Sequence, residues 1–137
     1  MSLSPSEIIN KMIGSDKMSQ WLGIKVISYE KGAVIISMLV KEEMVNGFNV
    51  AHGGITYSLA DSALAFSANS HGIHSMSIET SISHQKMVKV GDILIAQSKE
   101  LSLSKKIGVY EVSITNQNKV LVAHFKGTVY RSGKEWE

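Results

Sequence analysis

Hydrophobic and polar residues change their spacing several times along the 137-residue chain, and each change indicates a different element. Apolar and polar residues alternate strictly in residues 74–84, which is typical of a half-buried strand. Five other apolar segments are bounded by turn residues and also predict strands. Together, the predicted strands are residues 24–29, 33–40, 74–84, 93–103, 107–115 and 120–130.

Two short helices are predicted before the first strand. Residues 4–14 begin with Ser4 as a candidate N-cap, and Glu7 follows at the spacing of a capping box. Residues 16–22 predict a second helical turn that closes at a glycine. Residues 1–20 are therefore expected to form a helical extension that precedes the sheet.

A third and much longer helix is predicted within residues 46–72, after a turn signal at Asn46 and Gly47. It has two apolar stripes on roughly opposite sides of a helical wheel. The stripes are Ile55, Leu59, Ala63 and Phe66 on one side, and Tyr57, Leu64 and Ala68 on the other. A helix that is apolar on two faces is buried on two faces. We expect a sheet to cover one stripe and a second chain to cover the other, which predicts a homodimer.

This order of elements predicts a single α+β domain over residues 1–137. The four consecutive strands after the long helix are joined by short turns, which favours an antiparallel meander. The first two strands can extend the same sheet, and the long helix should lie across one of its faces. The polar residues 132–137 are expected to form a flexible tail.

Asp61 is the only residue from 54 to 72 that is certain to be charged at pH 7, and it lies on the second apolar stripe. Burying an unpaired carboxylate costs several kcal/mol, so such a group needs partners or has a raised pKa. Two interpretations remain equally open from the helical wheel alone. Asp61 is either a structural residue held by Ser or Thr hydroxyls or a catalytic acid.

The composition argues against several classes of protein. A net charge of +2, with Lys and Arg scattered along the chain, gives no footprint for nucleic acid or for a membrane surface. The chain has no Cys, no apolar run long enough for a membrane span and no signal core, so a cytoplasmic location is expected. His71 and His74 have a possible metal spacing, but we interpret them as exposed loop residues and expect neither a metal nor a cofactor.

The order of elements and the stretch N-G-x-x-x-x-H-G-G-x-x-x-x-L-A-D-x-A resemble the hotdog-fold thioesterases. The most similar type is PaaI (phenylacetic-acid degradation), which is related to 4-hydroxybenzoyl-CoA and human medium/long-chain acyl-CoA thioesterases. The similarity covers about residues 20–131. It implies a hotdog fold, in which a mostly antiparallel sheet of five to six strands wraps a long central helix. It also implies self-association to a homodimer or a homotetramer.

The resemblance implies hydrolysis of an aryl- or medium-chain acyl-CoA to the free acid and CoA. Gly53 would donate its backbone N–H to the thioester carbonyl oxygen, and Asp61 would activate water or attack the carbonyl itself. Asn46 would help to position the nucleophile or the acyl group. Ser77 falls where relatives place a second hydroxyl near the water.

Five further residues are candidate substrate contacts. His52 would shape the loop before the helix, and Gly54 would let the substrate approach the backbone. Tyr57 could line the acyl pocket, while Lys86 and Lys89 could contact the CoA phosphates. Each motif also has a simpler interpretation, namely a capping turn for the His-Gly-Gly stretch, a plain turn at residues 46–47 and an outward strand position at residue 77.

Elementary chemistry adds a constraint on these roles. Thioester hydrolysis develops negative charge on oxygen, and a helix N-terminus offers free N–H groups and partial positive charge. Gly53 and Asp61 are eight residues apart, which is about 12 Å along a helix. One carbonyl cannot touch both residues of a single chain, so Asp61 would work with Gly53 of the partner subunit.

Other functions remain open at this stage. The chain could be a hotdog module that binds acyl-CoA without cleaving it, although the presence of Asp61 counts against that reading. It could also be a purely structural or interaction domain. A hotdog dehydratase would need a histidine together with a carboxylate, and His52 is the only loop candidate for that role.

Overall fold

The computed structural model of the chain describes residues 2–137. The described residues form three α-helices, one short 3-10 helix and six strands. The helices are α1 (Pro5–Ser15), α2 (Lys17–Leu22) and α3 (Gly53–Asn69), with the 3-10 helix at Glu42–Met44. The strands are β1 (Lys25–Glu30), β2 (Ala33–Leu39), β3 (Ile73–His84), β4 (Ile93–Leu103), β5 (Ile107–Thr115) and β6 (Leu121–Glu135).

All six strands form one antiparallel sheet in the order β1-β2-β4-β5-β6-β3. The predicted meander of four consecutive strands is therefore wrong in one respect, because β3 pairs with β6 and not with β4. Both edges of β4 are already occupied, by β2 on one side and by β5 on the other. The chain instead leaves β3 at one edge of the sheet and crosses to β4 through residues 85–92.

The sheet wraps around α3 and covers both of its apolar stripes. On one side of the helix, Ser67 accepts a hydrogen bond from the backbone N–H of Val34 in β2 at 3.1 Å. On the other side, the Tyr57 ring meets the edge of Phe125 in β6, with ring centroids 5.5 Å apart. The expectation that a second chain must cover the second stripe is therefore wrong, because the β6–β3 half of the same sheet covers it.

The two N-terminal helices pack over the remaining side of α3. The capping box of α1 is formed as predicted, with the Ser4 hydroxyl accepting from the Glu7 backbone N–H. Ile8 and Ile9 of α1 are fully buried. The Ser19 hydroxyl of α2 lies 2.8 Å from the Ser62 hydroxyl of α3, which fixes the second helix against the third.

The end of the chain differs from the predicted flexible tail. Strand β6 continues to Glu135, which pairs with Ile73 of β3. Trp136 then stacks on His74 at a centroid distance of 4.1 Å, and its indole N–H donates to the Asn69 side-chain oxygen at 2.9 Å. These contacts, made by an aromatic residue in a polar segment, hold the end of the chain against the end of α3.

Within residues 2–137, no helix combines the length and the apolar character that crossing a membrane would require.

Candidate active site

The N-terminus of α3 is capped by a histidine. The Nδ1 atom of His52 accepts a hydrogen bond from the Gly54 backbone N–H at 2.9 Å, which requires that this nitrogen be unprotonated. The N–H of Gly53, the first helical residue, has no acceptor among the described residues. A free donor therefore lies at the positive end of a 17-residue helix.

The capping role of His52 has two consequences. It confirms the simpler interpretation of the His-Gly-Gly stretch as a turn that caps a helix. It also engages the Nδ1 atom of His52, the histidine that the dehydratase alternative would use, in a structural hydrogen bond. A Cβ atom on Gly54 would come 3.1 Å from Nδ1 of the capping imidazole, so this position favours glycine on packing grounds.

Gly53 lies in a cleft of about 320 Å³, which we call the Gly53 cleft. Its lining residues are Val50, Ala51, Gly53, Thr56, His84, Gln85, Lys86, Met87 and Val88. Lys86 thus brings a positive charge to the same cleft as the free N–H. Lys89 does not line this cleft, and its backbone N–H donates to the Asp92 carboxylate at 2.9 Å.

Asp61 lines a second and more enclosed cavity of about 220 Å³, which we call the Asp61 cavity. Its walls come from α1, α3, β3 and β6. The lining residues are Met12, Asp61, Leu64, Ala65, Asn69, Ser75, Met76, Ser77 and Val129. The structure therefore brings Asp61 and Ser77 to the same cavity.

The Asp61 carboxylate is half-buried and accepts no hydrogen bond from any residue between 2 and 137. The structural alternative required Ser or Thr hydroxyls as partners, but the adjacent Ser62 contacts Ser19 instead. Burial raises the pKa of the Asp61 carboxyl above its ordinary value, and the negative charge of Asp16 raises it further. Such a carboxylate is a stronger base than an exposed one.

The two cavities lie at opposite ends of a helix and strand that run side by side. Thr56 of α3 contacts His84 at one end, with Oγ1 and Nδ1 3.3 Å apart. Asp61 of α3 and Ser77 of the same strand line the other cavity, which continues to Asn69 and Ser75. Gly53 and Asp61 belong to one continuous helix, so they are separated by about 12 Å along its axis. The two lining sets share no residue.

Residues 48–123 of the chain match the family described as the thioesterase superfamily. The chain belongs to the thioesterase superfamily. The acyl-coenzyme A thioesterase PaaI of Escherichia coli is 35% identical over 122 residues, which cover 89% of this chain and 87% of the relative. The solved structure of E. coli PaaI superposes with a TM-score of 0.93 at 33% identity, covering 96% of this chain and 95% of that one.

A second solved member of this fold carries a ligand. A Streptococcus mutans protein whose structure is described as bound to acetyl CoA is 30% identical, with a TM-score of 0.80, and covers 82% of this chain and 91% of its own. These relatives confirm the resemblance to PaaI-type thioesterases and the hotdog fold that the sequence predicted. They also confirm, at the level of the superfamily, that the chain is a thioesterase.

Five predicted site residues of this thioesterase line neither cavity, namely Asn46, His52, Gly54, Tyr57 and Lys89. The side-chain oxygen of Asn46 accepts from the backbone N–H groups of Phe48, at 2.9 Å, and Val50, at 3.4 Å, so it closes a turn of its own loop. The Tyr57 hydroxyl is hydrogen-bonded to the Thr80 hydroxyl of β3. Within one chain, Asn46 and Tyr57 support the framework between the two cavities.

The two histidines with a possible metal spacing contact different groups. The Nε2 atom of His71 lies 2.5 Å from the Glu100 carboxylate, whereas His74 stacks on Trp136. These contacts bury both side chains partly, so the expectation of exposed loop histidines is wrong.

His84, Asn69 and Met12 are among the cavity residues that were not predicted from the sequence. His84 ends the alternating strand, and its Nε2 would lie 3.3 Å from a Cβ atom on Gly53. Asn69 donates to the backbone oxygens of Ala65 and Ser75 and accepts from the Ser75 N–H, so it ties α3 to β3. Met12 comes from the N-terminal extension, and no spacing in the sequence links it to Asp61.

Proposed function

We propose that the chain hydrolyses acyl-CoA thioesters at a site shared between two subunits. The observation that carries this proposal is the arrangement of two unused groups on one helix. Gly53 offers a free N–H in one cavity, and Asp61 offers a carboxylate without a donor in another. One substrate can use both groups only where the Gly53 cleft of one subunit meets the Asp61 cavity of the other.

The chemistry follows from these two groups. The Asp61 carboxylate takes a proton from a water molecule while the water oxygen attacks the thioester carbon. The carbonyl oxygen becomes an oxyanion and accepts the Gly53 N–H, which is worth roughly 2.7–4 kcal/mol of barrier for a well-placed donor. The C–S bond then breaks, and the CoA thiolate takes up a proton. The Ser77 hydroxyl, in the same cavity as Asp61, is positioned to hold the water.

Direct attack by Asp61 uses the same geometry and passes through a mixed anhydride. A single turnover in heavy-oxygen water tests for the second route. General-base catalysis puts solvent oxygen into the free acid in the first turnover. Attack by Asp61 instead leaves an oxygen of the Asp61 carboxylate in the free acid when water then opens the anhydride at the Asp61 carboxyl carbon.

Strand β3 supplies the surface for the shared site. It is a 12-residue strand at an edge of the sheet, and its Met76 and Ile78 side chains are 73% and 61% exposed. Unpaired edges of this length are commonly protected by pairing with another chain. Antiparallel pairing of β3 with its own copy, about a two-fold axis near Thr80, would set Ser77 of each chain towards His84 of the partner subunit.

That symmetry would also align the two helices. Because α3 runs beside β3, each Asp61 cavity would then face the Gly53 cleft of the partner subunit. Lys86 in the Gly53 cleft would face the CoA phosphates, and the largely apolar Asp61 cavity would receive an aryl or medium-chain acyl group. Association of two such dimers into a tetramer stays a prediction.

The experiment is a panel of acyl-CoA substrates, with thiol release followed colorimetrically, for the wild type and Asp61→Asn. We expect Asp61→Asn to lower turnover by about two orders of magnitude or more while the fold is retained. Glu30→Gln is the matched control, because Glu30 is an exposed carboxylate at the opposite edge of the sheet. Equal turnover in the wild type and Asp61→Asn would remove Asp61 from the mechanism.

A further inference from the structure

We infer that Met12 is a specificity-determining residue that limits the size of the acyl group beside Asp61, an inference that rests on the proposed acyl-CoA hydrolysis. Met12 lines the Asp61 cavity although it belongs to α1, in the N-terminal extension. It lies outside residues 48–123, the segment that matches the thioesterase superfamily. The superfamily segment thus supplies the reacting groups, and the extension supplies one wall of the pocket.

The position of Met12 follows from the way α1 is held. Ile8 and Ile9, one turn earlier, are fully buried, and the Tyr29 hydroxyl of β1 donates to the side chain of Asn10 at 3.2 Å. A cap at Ser4 fixes the start of the helix. The helix is therefore a rigid wall, and the Met12 side chain, which is half-buried against the core, projects from it into the cavity.

Met12 lies in a cavity whose lining is mostly apolar. From Asp61 the lining set continues along α3 through Leu64 and Ala65 to Asn69, a distance of about 12 Å along the helix axis. An acyl chain whose carbonyl is held near Asp61 would therefore extend between α1, α3, β3 and β6. Methionine is flexible and fills irregular space, so its volume sets how far that chain can reach.

Asn69 and the two serines supply the few polar atoms of this wall, and those of Asn69 are already engaged. Its side chain bonds Ala65, Ser75 and Trp136. No charged group other than Asp61 lines the cavity among the described residues. The pocket therefore selects by size and shape, which typically changes relative kcat/KM by about 10-fold to 200-fold per methylene group.

The experiment measures kcat/KM over a series of straight-chain acyl-CoAs from acetyl to lauroyl, with phenylacetyl-CoA added. We expect Met12→Ala to move the preferred acyl group to a longer or bulkier one and Met12→Phe to move it to a shorter one. The ratio between the long and short substrates should shift by about 10-fold or more in each direction. Met12→Leu conserves volume and should keep the wild-type profile.

Met18→Ala is the matched control, because Met18 also lies in the extension but is 47% exposed and does not line the cavity. An unchanged profile in both Met12→Ala and Met12→Phe would overturn the inference. If one of these variants fails to fold in a thermal melt, the other still decides the question. A wild type that cleaves no acyl-CoA would instead refute the proposed function, so the two failures are distinguishable.

Discussion

Replacing Gly53 with proline removes one hydrogen-bond donor and leaves the rest of α3 in place. Gly53 is the first residue of the helix, the position at which proline is most readily accepted. The preceding residue must then be extended, and His52 already has φ −59° and ψ 138°. The Gly53 N–H has no acceptor among residues 2–137, so its loss should cost the fold little.

The cost to catalysis should be far larger. If the Gly53 N–H stabilises the oxyanion, its loss should raise the barrier by roughly 2.7–4 kcal/mol and lower kcat by about 10²-fold to 10³-fold. Gly53→Ala is the control, because it keeps the N–H while adding a Cβ atom 3.3 Å from Nε2 of His84. The assay is thioester turnover at saturating acyl-CoA, with a thermal melt of each variant.

Mixing two inactive variants tests whether the site is shared. In a dimer formed from one Gly53→Pro chain and one Asp61→Asn chain, one site carries both changes and the other carries neither. Random exchange makes half of the dimers mixed, so about a quarter of the wild-type turnover should return. Equal turnover in Gly53→Pro and Gly53→Ala would refute the role of the N–H, and a mixture without recovered activity would refute the shared site.

Three further substitutions test the charge near Asp61 and the packing around two glycines. Asp16→Asn can still cap α2, but it removes the nearby charge that raises the pKa of Asp61. The acid limb of the kcat/KM profile should therefore move to lower pH. A profile whose acid limb stays at the wild-type pH would contradict this prediction. Gly127→Ala should lower the free energy of unfolding by about 1–3 kcal/mol in urea, because the new Cβ would lie 2.6 Å from Leu64. Gly14→Ala, with open space in α1, should instead raise it by about 0.4–1 kcal/mol.

Local signals were sufficient to predict the elements of this fold. The turns and caps of the chain set most boundaries to within a few residues, as the capping box at Ser4 illustrates. The same signals could not predict that β3 pairs with β6, because strand pairing depends on which edges other strands already occupy. They also did not predict the contacts of Trp136, because a single aromatic residue in a polar segment forms no periodic pattern.

In the candidate site, too, some features depend on neighbouring residues in the sequence and others on packing between distant elements. The His52 cap and the free Gly53 N–H are local features of one helix start. A capping turn was one interpretation of the His-Gly-Gly stretch, and the resemblance implied the role of the Gly53 N–H. Ser77 was placed near Asp61 through the resemblance to a family. Met12 and His84 reach the cavities through packing between elements that are distant in the sequence, which no local pattern encodes.

Asp61 shows how the fold and the chemistry oppose each other. Because burial raises its folded-state pKa, the ionised form is less favourable in the folded chain than in the unfolded one. The free energy of unfolding therefore has its full value below the unfolded-state pKa of Asp61, where the carboxyl is protonated in both states. Part of that stability is lost as the pH rises through the folded-state pKa. At neutral pH the folded chain therefore holds a destabilising charge in a helix whose two apolar stripes are both covered by the sheet. The proposed mechanism gives that charge a role, since the same lack of donors that costs stability would leave the carboxylate free to take a proton from water.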